Sequence, residues 1–409
     1  MTKLLVRDLA QVVSPAGTGA PLRGYEQMSA VEVIEKAYVL CEDGRVSAVG
    51  PMADLGGIEG ELEELDAKGR VAIPGLVDCH THACFAGDRV DEFSRRAAGA
   101  TYEELHAAGG GILSTVRATR AAGEDGLAEA LEEHRAWMLA AGTTTFEAKS
   151  GYGLDHDTEL AQLRVVRAAG GVATWLGAHA VAPEFDDADA YLDFALAEVL
   201  PEAAELAEAA DIFLERGAFD AAQARRYLEA ARAAGLALRL HADQFTEGGG
   251  IPLAIELRAR SVDHLEATGP GGVTALARSD VTAVLLPIAA LFLGRPMPPG
   301  RALLEAGAIV ALATDFNPGS AFCESLPVAM TLACTQVGLG PEAALIASTV
   351  NAAHVLGRAE LVGRIAPGYS ADLVLLETTD WRHLAYHFGG DLVSAVVKDG
   401  AVAWARRGV

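Results

Sequence analysis

The sequence predicts an α/β protein: a (β/α)8 TIM barrel over 70–359, with a small β-sandwich domain built from 1–69 plus 360–409. Three observations predict it. Eight short apolar segments alternate with Ala-rich amphipathic stretches through the middle of the chain, which is the strand and helix count of such a barrel. Both ends show hairpin patterning instead. The polar residues able to do chemistry fall just after the apolar segments, where these barrels carry their sites.

The N-terminal hairpin signal is two apolar runs at 31–34 and 37–40, the turn Glu42-Asp43-Gly44-Arg45, and a further run at 46–50. Barrel strands are predicted at 71–79, 143–148, 172–178, 210–215, 236–241, 260–264, 281–286 and 309–314. Helices are predicted at 126–141, 158–169, 220–234 and 299–306. A helix after the first strand opens with Thr101-Tyr102-Glu103-Glu104, a capping-box pattern in which both side chains satisfy orphan N–H groups. At the C-terminal end a strand at 371–376 precedes a hairpin at 393–397 and 401–404, turning at Lys398-Asp399-Gly400. The shared style of the two ends assigns them to one domain.

Hydrophobic residues make up 51% of the 409 and charged residues 22%, enough apolar material for a large core and too little charge for a disordered chain. The formal net charge of -24 gives no electrostatic reason to hold nucleic acid or an anionic membrane. An anionic substrate would need its own local cation. The five cysteines are irregularly spaced with no C-x-x-C, which fits a reducing compartment. The first residues lack a signal-peptide layout, and the most apolar stretch, 281–294, is broken by Pro287. The expected location is the cytoplasm.

His80 and His82 end the first predicted strand and, two apart, share one face. Glu147, Lys149 and Tyr152 follow the second strand, His179 the third, His241 the fifth, His264 the sixth and Asp315 the eighth. Two imidazoles, a third histidine and a carboxylate form an N/O donor set for zinc or iron, with a position left for water. A metal there lowers the pKa of bound water to about 7 and supplies hydroxide at neutral pH. Alone, His-x-His also describes strand histidines that satisfy backbone groups, Asp315 a helix cap and His264 a core residue. Their joint fall at strand ends in one parse favours the metal site. Gly109-Gly110-Gly111 and Gly248-Gly249-Gly250 lack the lysine and spacing of phosphate loops and read as turns.

Longer segments carry a resemblance. His80-Thr81-His82 with Gly87-Asp88-Arg89, Glu147-Ala148-Lys149-Ser150-Gly151-Tyr152-Gly153-Leu154, Leu240-His241-Ala242-Asp243-Gln244, Val262-Asp263-His264-Leu265-Glu266 and Thr314-Asp315-Phe316-Asn317-Pro318-Gly319-Ser320 are similar to segments of the imidazolonepropionase family of the amidohydrolase superfamily. The resemblance covers nearly the whole chain. It implies His80, His82, His241 and Asp315 as metal ligands. It implies Arg89, Tyr152, His179, Gln244, Asn317, Gly319 and Ser320 as the substrate-contacting set, and a homodimer. Binuclear relatives use a carboxylated lysine on the fourth strand; 210–215 has none, so one metal, zinc or iron, is expected. Some members have Glu where this chain has Gln244, and an amide cannot move protons.

The implied substrate, 4-imidazolone-5-propanoate, is a small anion with a flat ring bearing an amide-like carbonyl. Arg89 offers the cationic fork that its carboxylate tail needs. His264 and Asp315 are expected to be catalytic: His264 takes a proton from water or stabilises the oxyanion, and Asp315 passes a proton to the departing ring nitrogen. The product is N-formimidoyl-L-glutamate, in histidine degradation. The competing expectations are a guanine- or cytosine-type deaminase, against which Gln244 argues, and a non-catalytic scaffold, against which the intact ligand set argues.

Overall fold

A computed structural model describes residues 3–99 and 110–406. The predicted capping box at 101–104, and Gly109 with it, lie outside the described residues.

Strands β1 (Lys3–Pro15), β2 (Val31–Glu42), β3 (Arg45–Pro51), β4 (Glu63–Asp66) and β5 (Val71–Pro74) come first. The barrel strands follow: β6 (Leu76–Asp78), β7 (Thr143–Lys149), β8 (Val172–Ala178), β9 (Ala209–Leu214), β10 (Ala237–Ala242), β11 (Ser261–His264), β12 (Thr282–Leu285) and β13 (Val310–Leu312). The chain ends on β14 (Leu373–Leu376), β15 (Val393–Lys398) and β16 (Ala401–Ala405).

From β6 to β13 each strand pairs in parallel with the next. The seam between the first and last is stitched at the carboxyl ends, where Thr81 bridges Phe316. There the His82 N–H donates to the Phe316 carbonyl at 2.9 Å and the Asp315 N–H to the His80 carbonyl at 3.0 Å. The strands are buried on both faces, which is why they read as near-continuous apolar runs. Helices His156–Ala168 and Ala221–Ala233 back them. The first is capped by Asp155, whose side chain accepts from the Thr158 N–H; the second by a reciprocal Asp220 and Gln223 box. The predicted helix at 126–141 is the second half of Ile112–Ala140, a span interrupted at Gly123 (φ 64°).

The run expected as one strand at 71–79 is two strands in two sheets. Val71–Pro74 pairs with β1 and β14, and Leu76–Asp78 with β7. Gly75 is the crossing point, and a Cβ there would overlap the Thr144 side chain, so only glycine lets the chain pass. Apolar character is the same on both sides of Gly75, so pattern alone shows no break.

The terminal sheet runs β16-β15-β14-β5-β1-β2-β3, with β4 alongside β1. It curls over its own core, in which Leu4, Val6, Val39, Ala72, Leu373 and Ala395 meet, so both termini build one β domain. Its longest strand, Lys3–Pro15, was not foreseen from sequence. A bulge between Val6 and Leu9, with Asp8 at φ 56°, breaks the two-residue period that would have announced it. The runs expected at 31–34 and 37–40 are one strand, bent at Lys36 (φ 49°). Among the described residues no helix is long and apolar enough to cross a membrane.

Candidate metal centre

His80 and His82 leave the top of β6, where the chain has ceased to pair as a strand but still projects both rings into the mouth. His80 Nε2 and His82 Nε2 lie 3.5 and 3.4 Å from Asp315 Oδ1. His82 Nε2 and His241 Nε2 face each other at 3.4 Å. His264 sits against this group, its ring 5.3 Å from that of His241. All five side chains are buried.

Two findings test whether a cation fits. His80 Nε2 is buried with no hydrogen-bond partner. Burial, aided by the charge of Lys149, pushes His82 down to about 3. Burial also holds His241 down at about 4, against the pull of Asp211, and His80 well below the usual range. The rings are therefore neutral at pH 7, and ring nitrogens facing one another beside a carboxylate oxygen form a donor set that a cation could join. His80, His82 and Asp315 bring one donor atom each within 4.8 Å of one another, as do His80, His241 and His264. The nitrogen-rich set suits zinc or iron.

The outer nitrogens of His80 and His241 are tied, while His82 Nδ1 is buried without a partner. His80 Nδ1 meets Asp263 Oδ2 at 2.5 Å, and His241 Nδ1 meets Asp211 Oδ1 at 3.1 Å. Each carboxylate accepts a hydrogen bond from the Nδ1–H, which leaves the Nε2 lone pair for the centre. His264 differs. Burial alone would lower its pKa, but Glu266, 3.3 Å from Nδ1, together with Asp315 and Asp263, raises it. Its backbone is at φ 85°, with Leu265 at 73° and Asp315 at 56°. Such left-handed non-glycine residues cost about 1–3 kcal/mol each and cluster at working sites.

The other expected site residues ring this group. His179 stacks on His82 at 5.1 Å, and its Nδ1 donates to the Gly151 carbonyl at 3.0 Å. Tyr152 lies 5.2 Å from the His179 ring, and burial raises its phenol above the usual range, which keeps it a donor. Arg89 is held by a 2.9 Å bond from Nε to Thr115 Oγ1 and lies against Gly319, where a Cβ would come within 2.5 Å of Nη1. The Asn317 side chain is used within its own loop: Oδ1 accepts from the Gly319 and Ser320 N–H groups, both at 2.8 Å, and Nδ2 donates to the Asp315 carbonyl at 2.6 Å. Ser320 Oγ reaches Asp315 Oδ2 at 3.3 Å. Gln244 is buried just past β10.

Lys149 does not join the donors. Its Nζ lies 2.7 Å from Glu147 Oε1 and 2.9 Å from Asp211 Oδ2. Burial and Arg239 oppose its charge, but the surrounding carboxylates outweigh them and raise its pKa, so it is an ammonium with no lone pair to offer. Sequence reasoning passed over Asp211, Arg239, Asp263 and Glu266. The usable signal was charge inside apolar strands: Arg239 and His241 are two apart on β10, so they share the inward face, as do Glu147 and Lys149 on β7.

Residues 71–403 match the model of the amidohydrolase family. An imidazolonepropionase of Rubrobacter xylanophilus is 58% identical over 98% of both chains, and one of Chloroflexus aggregans is 46% identical over the same share of each. The chain belongs to the imidazolonepropionase family of amidohydrolases. Solved amidohydrolase-like structures agree with it in fold. A zinc-bound adenosine deaminase from Xanthomonas campestris has a TM-score of 0.70 at 20% identity, covering 99% of this chain and 94% of its own. Guanine deaminase from E. coli has a TM-score of 0.68 at 16% identity over all of both chains. In this family member the mouth of the barrel is lined by His80, His82, His241 and Asp315, with Tyr152 beside His82.

Proposed function

We propose that this amidohydrolase hydrolyses the carbonyl carbon–nitrogen bond of 4-imidazolone-5-propanoate to give N-formimidoyl-L-glutamate, a step of histidine degradation. The observation that carries it is the convergence of His80, His82, His241 and Asp315 on one buried space in a chain 58% identical to an imidazolonepropionase. One metal per chain, zinc or iron, is held by these four residues. When bound, it acidifies water and polarises the ring carbonyl.

The chain's own groups do the rest. Arg89 and Tyr152 hold the carboxylate tail, while His179 presents Nε2 to the ring. His264, its Nδ1 turned to Glu266, takes the water proton. Asp315 takes the remaining proton of the added water and carries it to the leaving nitrogen as the carbon–nitrogen bond breaks. Gln244 orients and does not titrate, which separates this reaction from deamination by a carboxylate shuttle. Asn317 and Ser320 brace Asp315 and place Gly319 beside the tail. The enzyme works in the cytoplasm as a homodimer.

The test is turnover of imidazolone propanoate by purified protein, with metal measured on the same sample. Hydrolysis with one equivalent of metal is expected. Two equivalents would refute the mononuclear reading, and ammonia release from a purine or pyrimidine panel without imidazolone hydrolysis would refute the substrate.

A further inference from the structure

Beneath the metal centre lies a buried charged layer that is one continuous run. From His80 Nδ1 it passes to Asp263 Oδ2 at 2.5 Å, which lies 3.1 Å from Arg239 Nη2. Arg239 Nη1 meets Glu147 Oε1 at 2.8 Å, and the same oxygen meets Lys149 Nζ at 2.7 Å. Lys149 continues to Asp211 Oδ2 at 2.9 Å, and Asp211 Oδ1 ends the run on His241 Nδ1 at 3.1 Å. The two cations and three carboxylates have side chains at most 1% exposed. The run thus joins the far sides of two histidines whose near sides face one space.

It also grips the backbone. Arg239 Nη2 donates to the Cys79 carbonyl at 2.5 Å, and Glu147 Oε2 accepts the Thr81 N–H at 3.1 Å. The peptide units on either side of His80 are therefore fixed by the same residues that orient its ring through Asp263. The guanidinium reaches Glu147, Asp263 and the Cys79 carbonyl from two separate nitrogens of a rigid fork, whereas a lysine carries its donors on one atom.

We propose that Arg239, Glu147 and Lys149 are positioning residues that set metal affinity without touching the metal, by holding His80 and His241 in register with each other. Ring orientation and backbone placement of both ligands depend on one network, so cutting its middle disturbs both ends. Outer partners of metal-bound histidines characteristically contribute about 10–100-fold in metal affinity. The network reaches neither Arg89 nor Gly319, so substrate recognition is separable from it.

This inference rests on His80 and His241 being ligands, and the experiment separates the two claims. The zinc dissociation constant is measured by chelator competition for the wild type, Lys149→Met, the charge-balanced pair Glu147→Gln with Lys149→Met, and the isosteric Asp263→Asn, on material shown folded by circular dichroism. Expected is zinc binding weakened about 10–100-fold in each, with KM of zinc-saturated enzyme unchanged. The charge-balanced and isosteric variants decide if Lys149→Met does not fold. Folded variants that lose thermal stability but bind zinc like the wild type overturn the proposal, because the network would then serve folding alone. A wild type that binds no zinc or iron overturns the ligand assignment itself.

Discussion

Replacing Gly319 with alanine is the sharpest test of how the carboxylate tail is held. Gly319 is not among the residues at positive φ, so its backbone accepts a side chain and the effect is one of space. The added Cβ would stand 2.5 Å from Arg89 Nη1 and 3.0 Å from Cζ. Ordinary carbon contacts need about 3.5 Å, so the guanidinium must retreat by about 1 Å. It cannot swing freely, because Nε is bonded to Thr115 Oγ1 at 2.9 Å. A displacement of about 1 Å breaks a paired charge-assisted contact worth about 1.5–3 kcal/mol, which is about 10–150-fold in affinity. The assay is steady-state kinetics on imidazolone propanoate, with a thermal melt of the same variant. Gly319→Ala should raise KM by about tenfold or more, with kcat within about threefold and the melting point within about 2 °C of the parent. A folded variant with unchanged KM would refute the placement of Arg89 on the tail. A fall in kcat alone would instead assign Gly319 to the reacting centre.

Arg89→Ala should act on the same parameter, raising KM by about a hundredfold, and an unchanged KM would remove Arg89 from tail recognition. His264→Ala should lower kcat by about a hundredfold or more while metal content, read by atomic absorption, stays at the parent level; Gln244 offers no titrating replacement. Gly75→Ala should destabilise the fold by about 1–3 kcal/mol in urea unfolding, because the new Cβ overlaps Thr144 where the chain changes sheets. In metal-free protein, His82 and His241 are depressed to about 3 and about 4, so the unfolded chain binds more protons than the folded one below the ordinary histidine pKa of about 6.5. Their contribution to stability is full above pH 6.5 and is lost as pH falls towards the folded values. Urea midpoints at pH 7 and pH 5 should show that loss, and His82→Gln should reduce it.

The sequence by itself determined the alternation of strand and helix, the β character of both ends, and a set of histidines and one aspartate at strand ends from which the family resemblance picked His80, His82, His241 and Asp315. Each of these is written locally: in a period of apolar residues, in a turn such as Asp43-Gly44, or in a histidine closing an apolar run. Tertiary structure decided what locality leaves open. Val71–Pro74 and Leu76–Asp78 look alike as sequence and part at Gly75 because their partners, β1 and β14 for one and β7 for the other, lie far away along the chain. Lys3–Pro15 became the longest strand because neighbours on both sides supply its hydrogen bonds despite the bulge at Asp8. The mutual contacts of Arg239, Lys149, Glu147, Asp211 and Asp263 were likewise hidden. A charge inside an apolar strand is costly in isolation, and only barrel closure brings the five charged groups close enough to offset one another. The sequence named the histidines and the aspartate that the fold brings together. The fold decided which buried charges lie behind them.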